Sequence, residues 1–184
     1  TYRGHALYLA KGGDLKQMIA ELFGKATGCA EGKGGSMHMF SREANFFGGH
    51  GIVGAQVPIG VGMAFAYNYR GEKRVSLTYF GEGAANQGQV YEAFNMASLW
   101  KLPVVFIIEN NQYAMGTSIE RAKAGTAFCN RGDAFGIPGM EVDGMDVVAV
   151  RAAGDEAGAH CKAGNGPILM EIKTYRYRGH SMSD

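Results

Sequence analysis

The sequence predicts an α/β fold in which helices cover both faces of a doubly wound, mostly parallel sheet. Three apolar runs have the length of buried strands, and they lie at residues 75–80, 103–108 and 168–174. Helical patterns at 87–100 and 146–163 separate these runs. Continuous apolar strands that alternate with helices are typical of a parallel sheet covered on both faces. No break in composition divides the chain, so we expect one domain over residues 1–184.

Loops around one short helix are predicted for the first third of the chain. Asp14 is a suitable N-cap for a helix over residues 15–23, and Gly24 is a suitable stop. The apolar side chains of this helix fall on one face, at Ile19, Leu22 and Phe23. Residues 28–50 are rich in glycine and fit no regular element. A loop of this length usually has a function or packs on a partner.

A helical pattern follows over residues 54–70 and carries a surface of small residues. They are Gly60, Gly62, Ala64 and Ala66. Small side chains let another helix approach closely, so we expect this surface to be buried and take it as a candidate subunit contact.

Polar residues follow the ends of two predicted strands in the middle of the chain. The run at 75–80 ends at Gly81-Glu82-Gly83, and the run at 103–108 ends at Glu109-Asn110-Asn111. Ligands of open parallel sheets bind at the carboxyl ends of the strands. The loops at 81–84 and 109–116 are therefore where a site is expected.

The composition excludes several classes of protein. The chain has 18 Lys and Arg against 17 Asp and Glu, so no excess of positive charge favours a nucleic acid or an anionic membrane as partner. No apolar run reaches the length of a membrane-spanning helix. Three scattered cysteines indicate neither a disulfide framework nor a zinc site. The 29 glycines are about twice the usual share, which indicates tight turns or backbone that lies against a ligand.

The segment Gly49–Gly54 has the spacing G-x-G-x-x-G. A dinucleotide-binding loop needs a strand before this motif and an acidic residue at the end of the next strand. Here a glycine-rich loop precedes it, and Glu72 falls in a polar turn, so a nicotinamide site is disfavoured. A turn that leads into the next helix, or backbone that lies against another cofactor, remains open.

Glu82 and Asn111 are candidate ligands of one metal ion. Adjacent parallel strands lie about 5 Å apart, so both side chains can reach the same cation. Carboxylate, amide and carbonyl oxygens suit Mg²⁺, with phosphate oxygens to complete the shell. A purely structural alternative is that Glu82 caps the following helix and the asparagines form a turn. The spacing alone does not favour either interpretation.

Beyond this spacing, five longer strings resemble the alpha subunits of the first component of the pyruvate dehydrogenase complex. The resemblance runs from residue 2 to residue 184. The strings are GKGGSMHM at 32–39, GIVGAQVP at 51–58, GAANQGQ at 83–89, ENNQYAMGTS at 109–118 and YRYRGHSMSD at 175–184. The resemblance implies the thiamin diphosphate-binding fold, with this chain as the half that binds the diphosphate.

Roles for individual residues follow from the same resemblance. The positions that hold Mg²⁺ correspond to Glu82, Asn111 and the carbonyl of Tyr113. The positions that contact thiamin diphosphate correspond to Tyr2, Arg3, Gly51, Val53, Gly83 and Ala84. His180 corresponds to a loop histidine that assists the active centre, and Ser181 to the serine that is phosphorylated in mitochondrial enzymes.

The implied activity is the decarboxylation of pyruvate and transfer of the acetyl group to a lipoyl domain of the acyltransferase component. The implied assembly is a heterotetramer of two alpha and two beta subunits, in which a glutamate of the beta subunit completes the site. A branched-chain 2-oxo acid dehydrogenase, an acetoin dehydrogenase and a non-catalytic assembly partner are the alternatives. The compartment would be the cytoplasm in a bacterium and the mitochondrial matrix in a eukaryote.

Two features depart from the family pattern. The family has Asp where this chain has Glu82, and the extra methylene moves the carboxylate outward by about 1.5 Å, which matters for an ion as strict in geometry as Mg²⁺. The family's subunits also extend beyond both ends of these 184 residues, so the chain is expected to be a core fragment.

Overall fold

Four parallel strands form the main sheet in a computed structural model, which describes residues 1–125 and 127–182. The order across the sheet is β1-β2-β6-β5, and a short antiparallel hairpin pairs β3 with β4. The strands are β1 (Ser76–Gly81), β2 (Val104–Asn110), β3 (Tyr113–Ala114), β4 (Thr117–Ser118), β5 (Gly139–Asp143) and β6 (Ile168–Lys173).

Six α-helices accompany these strands in the described part of the chain. They are α1 (Gly4–Ala10), α2 (Leu15–Leu22), α3 (Gln56–Tyr69), α4 (Gly88–Leu99), α5 (Ile119–Ala122) and α6 (Val147–Lys162). Short 3₁₀ turns lie at Ala84–Asn86 and Cys129–Phe135. None of the helices there is long and apolar enough to cross a membrane.

Both faces of the main sheet are covered, as the prediction of a doubly wound sheet requires. Val104, Phe106 and Ile108 of β2 pack in one apolar core with residues of α3 and α4. Val105 and Ile107, on the opposite face of β2, pack in a second core with residues of α6. Alternate residues of a strand point to opposite faces, so a strand buried on both sides is apolar throughout. The predicted fold class is confirmed.

The predicted elements lie within one or two residues of the observed ones. Asp14 caps α2 by accepting hydrogen bonds from the N–H groups of Lys16 and Gln17 at 2.6 and 3.2 Å. Asp146 caps α6 in the same way. No sequence pattern indicated α1, β5 or the β3–β4 hairpin.

Close contacts between Cα atoms divide the chain into two compact units, Thr1–Gln56 and Val57–Asp184. The first unit has its own small core, which contains Tyr8, Met18, Met39 and Phe46. The second unit contains the main sheet. A single domain over residues 1–184 stays a prediction.

The glycine-rich loop of the first unit is organised around the carboxylate of Glu21. This side chain is fully buried. Its two oxygens accept hydrogen bonds from four backbone N–H groups at 2.7 to 3.0 Å, those of Ala30, Gly32, Gly34 and Gly35. Burial alone would raise the pKa of Glu21, but the four donors outweigh it and hold the pKa below its usual value.

Helix α2 is therefore turned so that Glu21, and not the predicted apolar face, is buried. Ile19, Leu22 and Phe23 are 42%, 41% and 74% exposed. A buried carboxylate must be fully hydrogen-bonded, and the loop supplies the donors only on the side of Glu21.

The small-residue surface of α3 has two different environments. A Cβ atom at Gly60 would lie 2.0 Å from Oγ1 of Thr78 in β1, so the absent side chain lets the helix pack on its own sheet. At Gly62 nothing lies within 4 Å, and the residue is exposed. The expectation of a buried surface is thus confirmed at Gly60, whereas Gly62 is exposed in the single chain and the candidate subunit contact stays a prediction.

Candidate functional site

The carboxyl ends of β1 and β2 bring Glu82 and Asn111 into contact. Gly81 of β1 pairs in register with Glu109 of β2, so the residues that follow each strand emerge at the same edge of the sheet. Both Glu82 and Asn111 are only 3% exposed. The N–H of Asn111 donates to Oε2 of Glu82 at 3.4 Å. The adjacency predicted from the spacing is confirmed.

Residues 110–113 form a tight turn that is stabilised by the two asparagine side chains. The N–H of Gln112 donates to Oδ1 of Asn110 at 3.1 Å, and that of Tyr113 donates to Oδ1 of Asn111 at 3.2 Å. Gln112 has φ of +74°, a conformation that non-glycine residues rarely adopt. Such strain persists only where the surrounding structure fixes it, and it is common at functional sites.

Asn110 and Asn111 differ in role, and Glu171 explains why. Glu171 of β6 is fully buried. Its Oε1 accepts a hydrogen bond from Nδ2 of Asn110 at 2.7 Å, and its Oε2 accepts from the N–H groups of Phe128 and Cys129 at 2.8 and 2.9 Å. Asn110 is thereby tied to the interior of the sheet, and Asn111 is the asparagine whose backbone N–H contacts Glu82. Sequence reasoning missed Glu171 because its strand otherwise has the pattern of an ordinary apolar run.

Gly83 follows Glu82 and lies against the β3–β4 hairpin. A Cβ atom at Gly83 would be 2.5 Å from Cβ of Ala114. The backbone of Gly83 is helical, with φ −67° and ψ −45°, so only the space, and not the backbone conformation, demands glycine. The resemblance assigned Gly83 to a diphosphate; the structure adds a packing reason that acts without any ligand.

Arg131 fixes the turn Ala84–Asn86, which carries the next predicted cofactor position, Ala84. Its guanidinium donates to the carbonyl of Ala85, to Oδ1 of Asn86 at 2.6 Å and to the hydroxyl of Tyr91 at 2.9 Å. A single planar guanidinium thus holds both the turn and the helix after it. Arg131 lies 45 residues from Asn86, and no local sequence pattern connects them.

The predicted cofactor residues of the first unit lie near its glycine loop. The ammonium group of Thr1 donates to the carbonyl of Gly48 at 3.1 Å, which holds the start of the chain at this loop. The Arg3 guanidinium lies 5.4 Å from the centre of the Tyr2 ring. Gly51 lies beside the imidazole of His38, and a Cβ atom there would be 3.3 Å from Nε2. Val53 is 57% exposed.

His180 and Ser181 lie in an exposed segment after β6. Arg176 anchors the start of this segment to the hairpin, because it donates to the carbonyl of Met115 at 2.7 Å and stacks 5.2 Å from the centre of the Tyr113 ring. The segment that carries His180 and the hairpin that carries Tyr113 are thereby joined. Residues 183 and 184, the end of the string that contributed to the resemblance, lie outside the described residues.

The purely structural interpretation of Glu82 finds no support at helix α4. Gln87 precedes this helix without a side-chain cap, and the first turn has no acidic residue. Glu82 instead lies at a buried sheet edge beside an amide and a backbone turn. Hard oxygen donors in this arrangement suit a divalent cation such as Mg²⁺.

A second cluster of potential ligands, Cys129, Glu141 and Glu171, is poorly suited to a metal. Its three ligand atoms lie within 4.8 Å of one another. However, Glu171 is occupied by N–H donors, and Glu141 pairs with Lys173 at 2.7 Å. Burial, followed by the two carboxylates, raises the pKa of the Cys129 thiol. The protonated thiol is not a metal ligand.

The sheet and its site define the fold of thiamin diphosphate-dependent enzymes. A putative thiamin diphosphate-dependent enzyme from Mycobacterium smegmatis matches 74% of this chain with a TM-score of 0.58 at 24% identity, over 25% of its own length. A transketolase variant from Pichia stipitis matches 68% with a TM-score of 0.60 at 25% identity, over 20% of its length. The whole chain, residues 1–184, also matches the dehydrogenase E1 component family. The chain belongs to that family.

Relatives within the family are similar over the whole chain. The pyruvate dehydrogenase E1 component subunit alpha of Rhizobium meliloti is 66% identical, and that of Zymomonas mobilis is 64% identical. The mitochondrial somatic form of Homo sapiens is 58% identical. In each case 100% of this chain is covered, but only 53%, 52% and 46% of the relative. The chain therefore spans about half the length of these relatives.

Proposed function

We propose that this chain is part of the alpha subunit of a thiamin diphosphate-dependent pyruvate dehydrogenase, and that it binds the diphosphate and its Mg²⁺. The observation that carries the proposal is the buried contact between Glu82 and Asn111 at the carboxyl ends of two adjacent parallel strands. Membership of the dehydrogenase E1 component family supports the same assignment. The names of the relatives above favour pyruvate over a branched-chain 2-oxo acid or acetoin.

The donor set of the second unit fits a magnesium diphosphate. Glu82 offers a carboxylate, Asn111 an amide oxygen and Tyr113 a backbone carbonyl, which are the ligand types that Mg²⁺ prefers. Gly83 and Ala84 offer backbone beside them. When bound, thiamin diphosphate supplies the carbanion and electron-sink chemistry that removes carbon dioxide from a 2-oxo acid. Tyr2, Arg3, Gly51 and Val53 of the first unit are proposed as further contacts to the cofactor.

Proton donation and transfer of the acetyl group need groups other than those at the carboxyl ends of β1 and β2. His180 is proposed as a proton donor, because an imidazole can serve as a general acid and its segment is joined to the hairpin through Arg176. The proposed acceptor of the acetyl group is a lipoyl domain, and a beta subunit completes the site. Ser181, adjacent to His180, is a proposed phosphorylation site in a eukaryotic enzyme.

Binding measurements on Glu82 variants test the metal and cofactor assignment. The full chain, purified with a beta subunit, is titrated with thiamin diphosphate in the presence and absence of Mg²⁺ by calorimetry. Glu82→Gln is expected to weaken Mg²⁺-dependent binding by about tenfold or more, because the carboxylate charge is lost. The exposed Glu120→Gln is the matched control and should bind as the parent does. Unchanged binding by Glu82→Gln would contradict the assignment.

Glu82→Asp tests the departure from the family pattern separately. If the longer side chain places the carboxylate too far out, the Asp variant binds thiamin diphosphate more tightly than the parent. Steady-state turnover of pyruvate, 2-oxoisovalerate and acetoin, with the beta subunit present, then decides the substrate. Cofactor binding without turnover of any of the three would favour a non-catalytic assembly partner.

A further inference from the structure

Lys123 is a half-buried residue whose ammonium group has no counter-ion in the part of the chain that the structure describes. Its Nζ is shielded from solvent and has no hydrogen-bond acceptor within residues 1–125 and 127–182. None of the ion pairs in that part of the chain includes it. The ammonium instead lies 3.5 Å from the centre of the Phe128 ring. A cation–π contact compensates only part of the cost of removing a charge from water.

A second cation lies beside the ammonium of Lys123. The Arg131 guanidinium lies 4.7 Å from the same Phe128 ring, so two cations flank one aromatic side chain. Burial, and after it the charge of Arg131, lowers the pKa of Lys123; Glu171 acts in the opposite direction. Glu171 already accepts three hydrogen bonds from other donors. Lys123 therefore has a second cation beside it and no ion-pair partner of its own among the described residues.

Lys123 lines a recess that also reaches the proposed metal and cofactor residues. The other lining residues are Glu82, Gly83, Asn86, Ala114, Thr117, Ser118, Ile119, Ala122 and Phe128. Glu82 and Gly83 follow the carboxyl end of β1, and Thr117 and Ser118 are the lining residues that carry hydroxyl groups. The recess thus combines an unneutralised ammonium with hydroxyl groups, as sites for phosphate oxygens do.

We propose that the Lys123 recess is an anion site in which the ammonium binds a diphosphate. An anion of this class would give Nζ the acceptors that it lacks and would offset the repulsion from Arg131. That the diphosphate is the one of thiamin diphosphate rests on the proposed function. The strings that carry the family resemblance do not include Lys123.

Calorimetric titration of the full chain, purified with a beta subunit, tests the proposal with three compounds. They are inorganic pyrophosphate, thiamin diphosphate and thiamin, each measured with and without Mg²⁺. Lys123→Met keeps the length and apolar stem of the side chain but removes its charge. It is expected to weaken binding of both diphosphates by about tenfold or more and to leave binding of thiamin unchanged. The exposed Lys162→Met is the control and should behave as the parent.

Thermal unfolding without ligand distinguishes this role from a structural one. Lys123→Met removes an unpaired buried charge, so its melting temperature should equal or exceed that of the parent. A structural cation–π contact would give the reverse, a lower melting temperature with unchanged diphosphate binding. Lys123→Gln provides a second neutral variant, for which the same loss of diphosphate binding is expected.

The inference is overturned if Lys123→Met binds pyrophosphate within twofold of the parent, or if the parent binds neither diphosphate. It is also overturned, with the proposed function intact, if thiamin diphosphate binds and its binding does not depend on Lys123. Lys123-dependent binding of pyrophosphate without binding of thiamin diphosphate would support the inference and contradict the proposed function. The two proposals can therefore fail separately.

Discussion

Replacement of Gly83 by Ala tests whether the sheet edge is shaped by packing, by a ligand or by both. The added Cβ would lie 2.5 Å from Cβ of Ala114 in the β3–β4 hairpin. Carbon atoms in good contact are about 3.5 to 4.0 Å apart, so the hairpin must move by about 1 to 1.5 Å. That hairpin begins with Tyr113, whose carbonyl is a proposed magnesium ligand.

The expected loss of stability follows from this overlap. Overpacking of this kind costs about 1 to 3 kcal/mol, and the backbone of Gly83 is helical, so no dihedral strain adds to it. For a chain of this size, each kcal/mol lowers the melting temperature by about 2 to 4 °C. Thermal unfolding of Gly83→Ala should therefore show a decrease of about 2 to 12 °C. Thiamin diphosphate affinity, measured by calorimetry, should fall as well.

A compensating substitution separates the two causes. In the double variant Gly83→Ala, Ala114→Gly, the overlap is gone, so the melting temperature should recover beyond the sum of the single effects. If cofactor affinity recovers too, glycine serves packing alone; if it does not, a side chain at 83 also obstructs the ligand. Gly88→Ala is the matched control, since nothing lies within 4 Å and alanine is favoured in a helix. A melting temperature of Gly83→Ala equal to that of the parent would refute the reasoning.

Two further predictions concern buried polar anchors. Glu21→Gln should lower the free energy of unfolding at neutral pH. Because folding depresses the pKa of Glu21, the stabilisation from its carboxylate is complete above the usual pKa of 4.5 and is lost as the pH falls through the pKa of the folded state. The stabilities of parent and variant should therefore converge in acid. Parallel curves down to the acid transition would contradict this. Arg131→Lys should cost about 1 to 3 kcal/mol in chemical denaturation, because an ammonium cannot make all three contacts of the guanidinium. The exposed Arg151→Lys should leave the free energy of unfolding nearly unchanged, and an equal loss in both variants would refute the role of Arg131.

The apolar content of a strand determined whether the sequence revealed it, since β1 lies at one edge of the sheet and was still predicted. Strand β2 is central and buried on both faces, so it is a continuous apolar run that pattern analysis finds. Strand β5 lies at the edge and has the sequence GMEVD, in which only Val142 is buried. Edge strands tolerate charge and glycine, and this removes the apolar pattern. The difference lies in the burial that each position imposes, so periodicity alone does not identify β5.

In the candidate site, some residues could be identified from local sequence patterns and others could not. Glu82 and Asn111 could be paired from the sequence because each follows a recognisable strand, and adjacent parallel strands end together. Glu171 and Arg131 could not, because their partners are backbone groups and side chains about 40 to 60 residues away. Backbone donors carry no residue-type pattern. Their location becomes known only when the chain is folded.

The glycine excess had suggested room for a ligand, yet much of it is explained by the protein's own groups. Gly32, Gly34 and Gly35 present their N–H groups to the carboxylate of Glu21, an arrangement that resembles an anion-binding loop filled by a side chain. Gly60 and Gly83 instead admit neighbouring side chains of the second unit. A glycine-rich segment is therefore weak evidence for a cofactor by itself. The stronger evidence is a buried group whose partners are incomplete, and in this chain that criterion leads to the ammonium of Lys123 beside the carboxyl end of β1.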